Sequence, residues 1–131
     1  MNKMVIVMRK DLNMRKGKMI AQGAHACLKV FIDRSFFYHC QEYDKSKFEC
    51  PLTKEMTLWL NEDYKKICVS VNSLEELLAI KHNADEMEIP CSLVQDNGLT
   101  EFKGEKTYTC LALGPDDAQK IDKITGHLKL L

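Results

Sequence analysis

The chain has 131 residues, enough for one domain with a hydrophobic core, and 45% of them are apolar. Nineteen basic residues balance nineteen acidic ones, which speaks against a polybasic binder. Residues 1–34, however, hold Lys3, Arg9, Lys10, Arg15, Lys16, Lys18, Lys29 and Arg34 against Asp11 and Asp33, a net +6 that leaves −6 for the rest, so an anionic partner should meet the first quarter of the chain.

Met4–Met8 is a continuous apolar run and reads as a buried strand. It is too short for a signal-peptide core, and no run reaches the ~18 apolar residues needed to span a bilayer. The expectation is a cytosolic protein without a membrane partner. Asp11-Leu12-Asn13 breaks the strand. From Arg15 or Lys16 to about Arg34 the pattern is helical, with Ile20, Ala24, Cys27, Leu28 and Phe31 on one face as the expected core stripe. Residues 35–62 are aromatic and charged, with a short helix over Thr53–Leu60. Lys66–Val71 is a second strand. Ser73-Leu74-Glu75-Glu76 is a capping box opening a helix to about Met87. Cys91–Gln95 is a third strand, Asp96-Asn97-Gly98 a turn, and Thr107–Leu113 a fourth strand. Gly114-Pro115-Asp116-Asp117 opens a last helix, which Gly126 ends as a C′ residue.

This order implies an α/β sheet with helices on both faces. The loop between the third and fourth strands is too short for a helical crossover, so these two should pair antiparallel or connect irregularly. Ligands in such sheets sit beyond the carboxyl ends of the parallel strands, here near Arg9–Lys18 and Asp96. Six cysteines, at 27, 40, 50, 68, 91 and 110, show no C-x-x-C spacing and read as reduced thiols rather than metal ligands.

Three features carry chemistry. Lys18, Gln22, His25 and Lys29 are spaced 4, 3 and 4 and fall within roughly 60° of arc, opposite the apolar stripe. A solvated polar face explains such a stripe in most helices. Two details point elsewhere: no Glu–Lys pairing supports it, and it begins at a helix N-terminus, which favours anions. The second feature is Asp96-Asn97-Gly98-Leu99-Thr100. It is either a tight turn or a carboxylate placed with a hydroxyl to position a water, and the residues favour neither. The third, Thr125-Gly126-His127-Leu128-Lys129, reads as a helix end followed by a short terminal strand rather than a catalytic histidine. No Walker, dinucleotide, zinc-protease or nucleophile-elbow motif occurs.

Arg9-Lys10-Asp11-Leu12-Asn13-Met14-Arg15-Lys16-Gly17-Lys18 with Ala21-Gln22-Gly23-Ala24-His25-Ala26 resembles the opening signature of type 2 peptidyl-tRNA hydrolases. Gln95–Thr100 is similar to that family's second motif. Gly114-Pro115 and Ile121–Leu130 are similar to its third. The resemblance implies one α/β/α sandwich domain over residues 1–131, with a small four-stranded mixed sheet, commonly dimeric. It implies hydrolysis of the ester between a peptide and the terminal ribose of tRNA, without metal or organic cofactor. It carries the catalytic positions onto Lys18, Asp96 and Thr100, with Gln22 and His25 in support. Asn97, Glu101 and the segment 35–65 depart from the family pattern, and no glycine occurs between Gly23 and Gly98.

On this reading Asp96 and Thr100 orient and activate water, and Lys18 stabilises the oxyanion or the leaving ribose oxygen. His25 relays a proton or fixes Lys18. Arg9, Lys10, Arg15, Lys16 and Lys29 hold phosphates, with Gln22 also facing the substrate. Two other functions remain open. One is a non-catalytic tRNA- or protein-binding relative. The other is a hydrolase of a different acyl or aminoacyl ester.

Overall fold

The computed structural model describes residues 1–99 and 101–131. Thr100, expected beside Asp96, lies outside the described residues. The Met4–Met8 run sits within β1 (Asn2–Arg9). Val5 and Val7 enter one core, while Met4, Ile6 and Met8 enter the other. A strand buried on both faces has no polar face, so its sequence is apolar throughout.

Helix α1 (Lys16–Ile32) follows, then β2 (Phe36–Cys40) and β3 (Lys45–Glu49), joined through a single 3₁₀ turn at Gln41–Tyr43. Next come α2 (Lys54–Asn61), β4 (Lys66–Val71), α3 (Leu74–Glu86), β5 (Cys91–Asp96), β6 (Thr107–Asp117) and α4 (Ala118–Thr125). Four strands form one sheet in the order β4-β1-β6-β5. β1 runs parallel to β4 and antiparallel to β6, and β5 pairs antiparallel to β6. Helices α1 and α2 cover one face through Ala26, Val30, Met56 and Trp59. Helices α3 and α4 cover the other through Leu77, Ile80, Ala84, Ile121 and Ile124. This is the expected three-layer α/β/α arrangement with a mixed sheet.

Local signals account for several boundaries. The Thr53 hydroxyl accepts from the Met56 N–H and caps α2. The Ser73 hydroxyl accepts from the Glu76 N–H at 3.1 Å, and Glu76 reaches back to the Asn72 N–H at 3.1 Å.

Four expectations are corrected. Residues 36–49 form a hairpin of their own, with Phe37 stacked on Phe48 at 5.3 Å. No residue of either strand is buried, so no burial pattern marks it in the sequence. Second, Gly114-Pro115-Asp116-Asp117 does not open a helix. β6 continues through it, because Asp116 and Asp117 pair with Lys3 and Asn2 of β1. Asp117 then caps α4 by accepting from the Lys120 N–H. Third, Gly126 ends α4 in right-handed helical geometry, not as a left-handed C′ residue. A glycine still suits the site, since a Cβ there would lie 2.5 Å from the Asp122 carbonyl oxygen.

The fourth correction concerns α1. The residues facing the sheet are Gln22, Gly23, Ala26 and Val30. Of the expected core stripe Cys27 and Phe31 pack against the core, but Ile20, Ala24 and Leu28 point outward, with Ile20 74% and Leu28 55% exposed. Small residues at 23 and 26 let the helix lie close to β1. Gln22 enters the interface because polar partners await it there.

Candidate active site

β1, β4 and β5 end at the same edge of the sheet, and the N-terminus of α1 stands over that edge. Asp96 is the last residue of β5, and Lys18 lies in the first turn of α1. Lys18 Nζ donates to Asp96 Oδ1 at 2.6 Å, with both side chains at least 85% shielded from solvent. One helical turn on, Gln22 Nε2 donates to the same oxygen at 3.3 Å. The Gln22 carbonyl end accepts from the Thr109 hydroxyl of β6, deep in the core. Both ends of the amide are therefore fixed.

The second carboxylate oxygen, Oδ2, accepts from the Gly98 N–H at 2.8 Å. Gly98 has φ +80°, and a Cβ there would lie 2.2 Å from the Glu105 carbonyl oxygen. Only glycine fits this turn. Asn97-Gly98 is thus a turn, and the same turn holds the carboxylate. The two readings that the sequence left open are compatible.

Lys18 holds the Asp96 carboxyl below the usual carboxylate range, opposed by burial and helped by the Gly98 N–H and the His25 charge. Asp96 is thus ionised at neutral pH. The Phe102 ring lies 5.7 Å from Lys18 Nζ and shields one side of the pair.

The other expected site residues divide into two groups. His25 is exposed on α1, close enough for its charge to act on Asp96. Lys16 is exposed at the start of α1, in a first turn without acidic residues. Arg15 is 91% exposed and approaches Glu101 at 3.6 Å. Lys10 is exposed just past β1. Arg9, in contrast, is tied to Asp11 at 2.6 Å and to the Tyr108 carbonyl. Lys29 pairs with Asp33 at 2.8 Å, about 16 Å along the helix from Lys18. Arg9 is thus committed within the fold, whereas Lys29 is held in a surface pair on α1.

Thr109 carries no functional signal in the sequence. It reads as one more residue of an apolar strand, and only the buried Gln22 opposite explains it. The six cysteines are free thiols, as expected. Burial pushes Cys91 and Cys110 up to about 12, so neither offers a thiolate nucleophile near neutral pH. Among the described residues no helix is long and apolar enough to cross a membrane.

The outward stripe of α1 lines an apolar groove of about 430 Å³ with Met19, Ile20, Ala24, Cys27, Cys68 and Leu131 on its walls.

Comparison with known proteins matches residues 2–131 to the family described as peptidyl-tRNA hydrolase PTH2. A peptidyl-tRNA hydrolase of Methanocaldococcus jannaschii is 44% identical over 129 residues, covering 98% of this chain and 99% of that one. That of Thermoplasma acidophilum is 43% identical, with 98% and 97% covered. That of Methanothermobacter thermautotrophicus is 45% identical, with 98% and 99% covered. These matches run over nearly the whole of each chain, and the chain belongs to the peptidyl-tRNA hydrolase PTH2 family.

Proposed function

We propose that this chain hydrolyses the ester joining a peptide to the terminal ribose of tRNA. The observation that carries the reading is the Asp96 carboxylate, ionised and fixed by Lys18, Gln22 and the Gly98 N–H at the edge where α1 begins. Ester hydrolysis needs a positioned water and a donor for the oxyanion that develops. A carboxylate below its usual range is a poor proton acceptor, so Asp96 works mainly by orienting water, with Thr100 as its expected hydroxyl partner. Lys18 supplies the donor. One such donor is typically worth about 3 kcal/mol of barrier. Gln22 holds the pair in register, and His25, whose charge acts on Asp96, has the role of relaying a proton or steadying Lys18.

The RNA would meet Lys10, Arg15 and Lys16 through its phosphates. The reading includes a homodimer, with the apolar groove of α1 covered by a second copy. It places the protein in the cytosol, recycling tRNA from stalled peptides.

Release of N-acetyl-aminoacyl groups from tRNA, run beside unblocked aminoacyl-tRNA, tests the function. Cleavage of the blocked substrate alone is expected. Equal cleavage of both would indicate a general aminoacyl-ester hydrolase. Binding without cleavage would indicate a non-catalytic relative.

A further inference from the structure

The closing segment of the chain has no role in the site described above, yet the fold carries it to the same sheet edge. After α4 the chain turns and runs antiparallel beside β4. The Ser70 N–H donates to the Lys129 carbonyl at 2.9 Å, the Leu131 N–H donates to the Cys68 carbonyl at 3.1 Å, and Val69 bridges Leu130. This pairing sets His127 level with the carboxyl end of β4. There the Lys10 N–H donates to the Val71 carbonyl at 2.8 Å, which brings the end of β1 alongside. A cavity of about 350 Å³ opens between them, lined by Lys10, His127 and Lys129 with Ser70, Asn72 and Glu76.

The cavity's charge is one-sided. Among the described residues Lys10 and Lys129 have no carboxylate partner within ion-pair distance. Glu76, its one carboxylate, is turned back to the Asn72 N–H as part of the α3 cap. The lysines and the histidine are solvent-exposed and present donors to whatever enters. The cavity lies over β4 and β1, and Asp96 ends β5. In the order β4-β1-β6-β5 that is two to three strand spacings, about 10–14 Å along one edge.

We propose that Lys10, His127 and Lys129 form a phosphate subsite that holds the RNA backbone of the substrate a few nucleotides from the ester. The inference rests on the reading of the chain as a peptidyl-tRNA hydrolase and adds to it a second anchor, built from the end of the chain. Two fixed points on one strand of RNA define a direction, so the subsite orients the 3′ end toward Asp96 as well as adding affinity. A phosphate contact of this kind is blind to sequence and sensitive to salt.

The test is the affinity of the full chain for deacylated tRNA as a function of salt. The double variant His127→Ala/Lys129→Ala should bind several-fold more weakly, with a slope of log Kd against log salt lowered by about one. Lys47→Ala, on the distant β2–β3 hairpin, controls for the loss of one surface charge. Both replaced side chains are exposed, and the Lys129 carbonyl paired with Ser70 is main chain, so the sheet edge survives. If the double variant nevertheless loses its cooperative melt, Lys129→Gln alone gives the slope. A slope equal to wild type, or one that Lys47→Ala lowers equally, overturns the subsite.

Inorganic phosphate alone supplies a further arm. If it raises the melting temperature of wild type but not of the double variant, while the tRNA slope is unchanged, the pocket serves free phosphate and the RNA assignment is overturned. Cleavage of N-acetyl-aminoacyl-tRNA by the wild-type chain tests the parent reading separately. Its absence overturns that reading and the subsite with it. Its presence with an unchanged slope overturns the subsite alone.

Discussion

Among the described residues Asp96 is held by three donors on two oxygens, two from successive turns of α1 and one from the turn after its own strand. Replacing Lys18 or Asp96 by alanine should therefore lower kcat by about 10²–10³-fold on peptidyl-tRNA, the usual loss for one oxyanion donor. Circular dichroism should still show a folded protein, since both side chains lie at the edge of the core. Two variants that cleave at the wild-type rate would reject the assignment. The pH dependence follows from the same contacts. Lys18 and the Gly98 N–H hold Asp96 below the ordinary aspartate value of 3.8. A depressed carboxylate contributes its stability fully above that value and loses it as pH falls through its own lower pKa. The Asp96 limb of the kcat/KM profile should accordingly lie below about pH 4. An acid limb centred above pH 5 that disappears in Asp96→Asn would contradict this.

At the scale of elements, α1 is the informative case. Its spacing shows two stripes, and either can face a sheet. The Ile20, Ala24 and Leu28 stripe is the more apolar, yet the helix turns it outward. Gln22 decides the rotation. Buried with its carbonyl on Thr109 and its amide on Asp96, it gives the core hydroxyl of Thr109 an acceptor and has both ends of its own amide paired. The stripe left outside is the surface that the proposed dimer would cover. Ile20→Lys should convert the protein to a monomer in sedimentation experiments, and an unchanged mass would remove α1 from the interface. The β2–β3 hairpin gives the opposite case. It stands clear of the core, with Phe36 paired directly across from Glu49. Replacing residues 36–49 by a two-glycine link should leave the four-stranded sheet intact and shift Tm by only a few degrees. Loss of a cooperative melt would show that the hairpin supports the core.

For the whole molecule, the charge count of the first 34 residues overstates what meets the partner. Lys3, Arg9, Lys18 and Lys29 are paired with Asp122, Asp11, Asp96 and Asp33. Lys10, Arg15 and Lys16 remain to face outward near the site, and His127 and Lys129 join that edge from the acidic remainder. On the proposed reading these groups neutralise several phosphates although the chain has zero net charge. Affinity for tRNA should fall more than about tenfold between 50 and 200 mM salt. A flat dependence would reject the basic edge.

What could be read from the sequence alone follows from the range of each signal. The Met4–Met8 run, the Ser73 capping box and the order of the four helices and the four strands of the main sheet depend on neighbours a few residues apart, so they are legible without a fold, whereas the β2–β3 hairpin is not. The same holds for the signature residues around Lys18 and Asp96, whose types and spacing carry the family resemblance. Tertiary structure decided everything that depends on partners distant in sequence. It chose the face of α1 that is buried, because Thr109 lies 87 residues from Gln22. It kept Gly114–Asp117 in a strand, because β1 offers the pairing. It brought Lys18 to Asp96 across 78 residues and so set the charge state of the carboxylate. Local periodicity records which side chains are alike, whereas burial, ion pairing and protonation depend on what the folded chain sets opposite them.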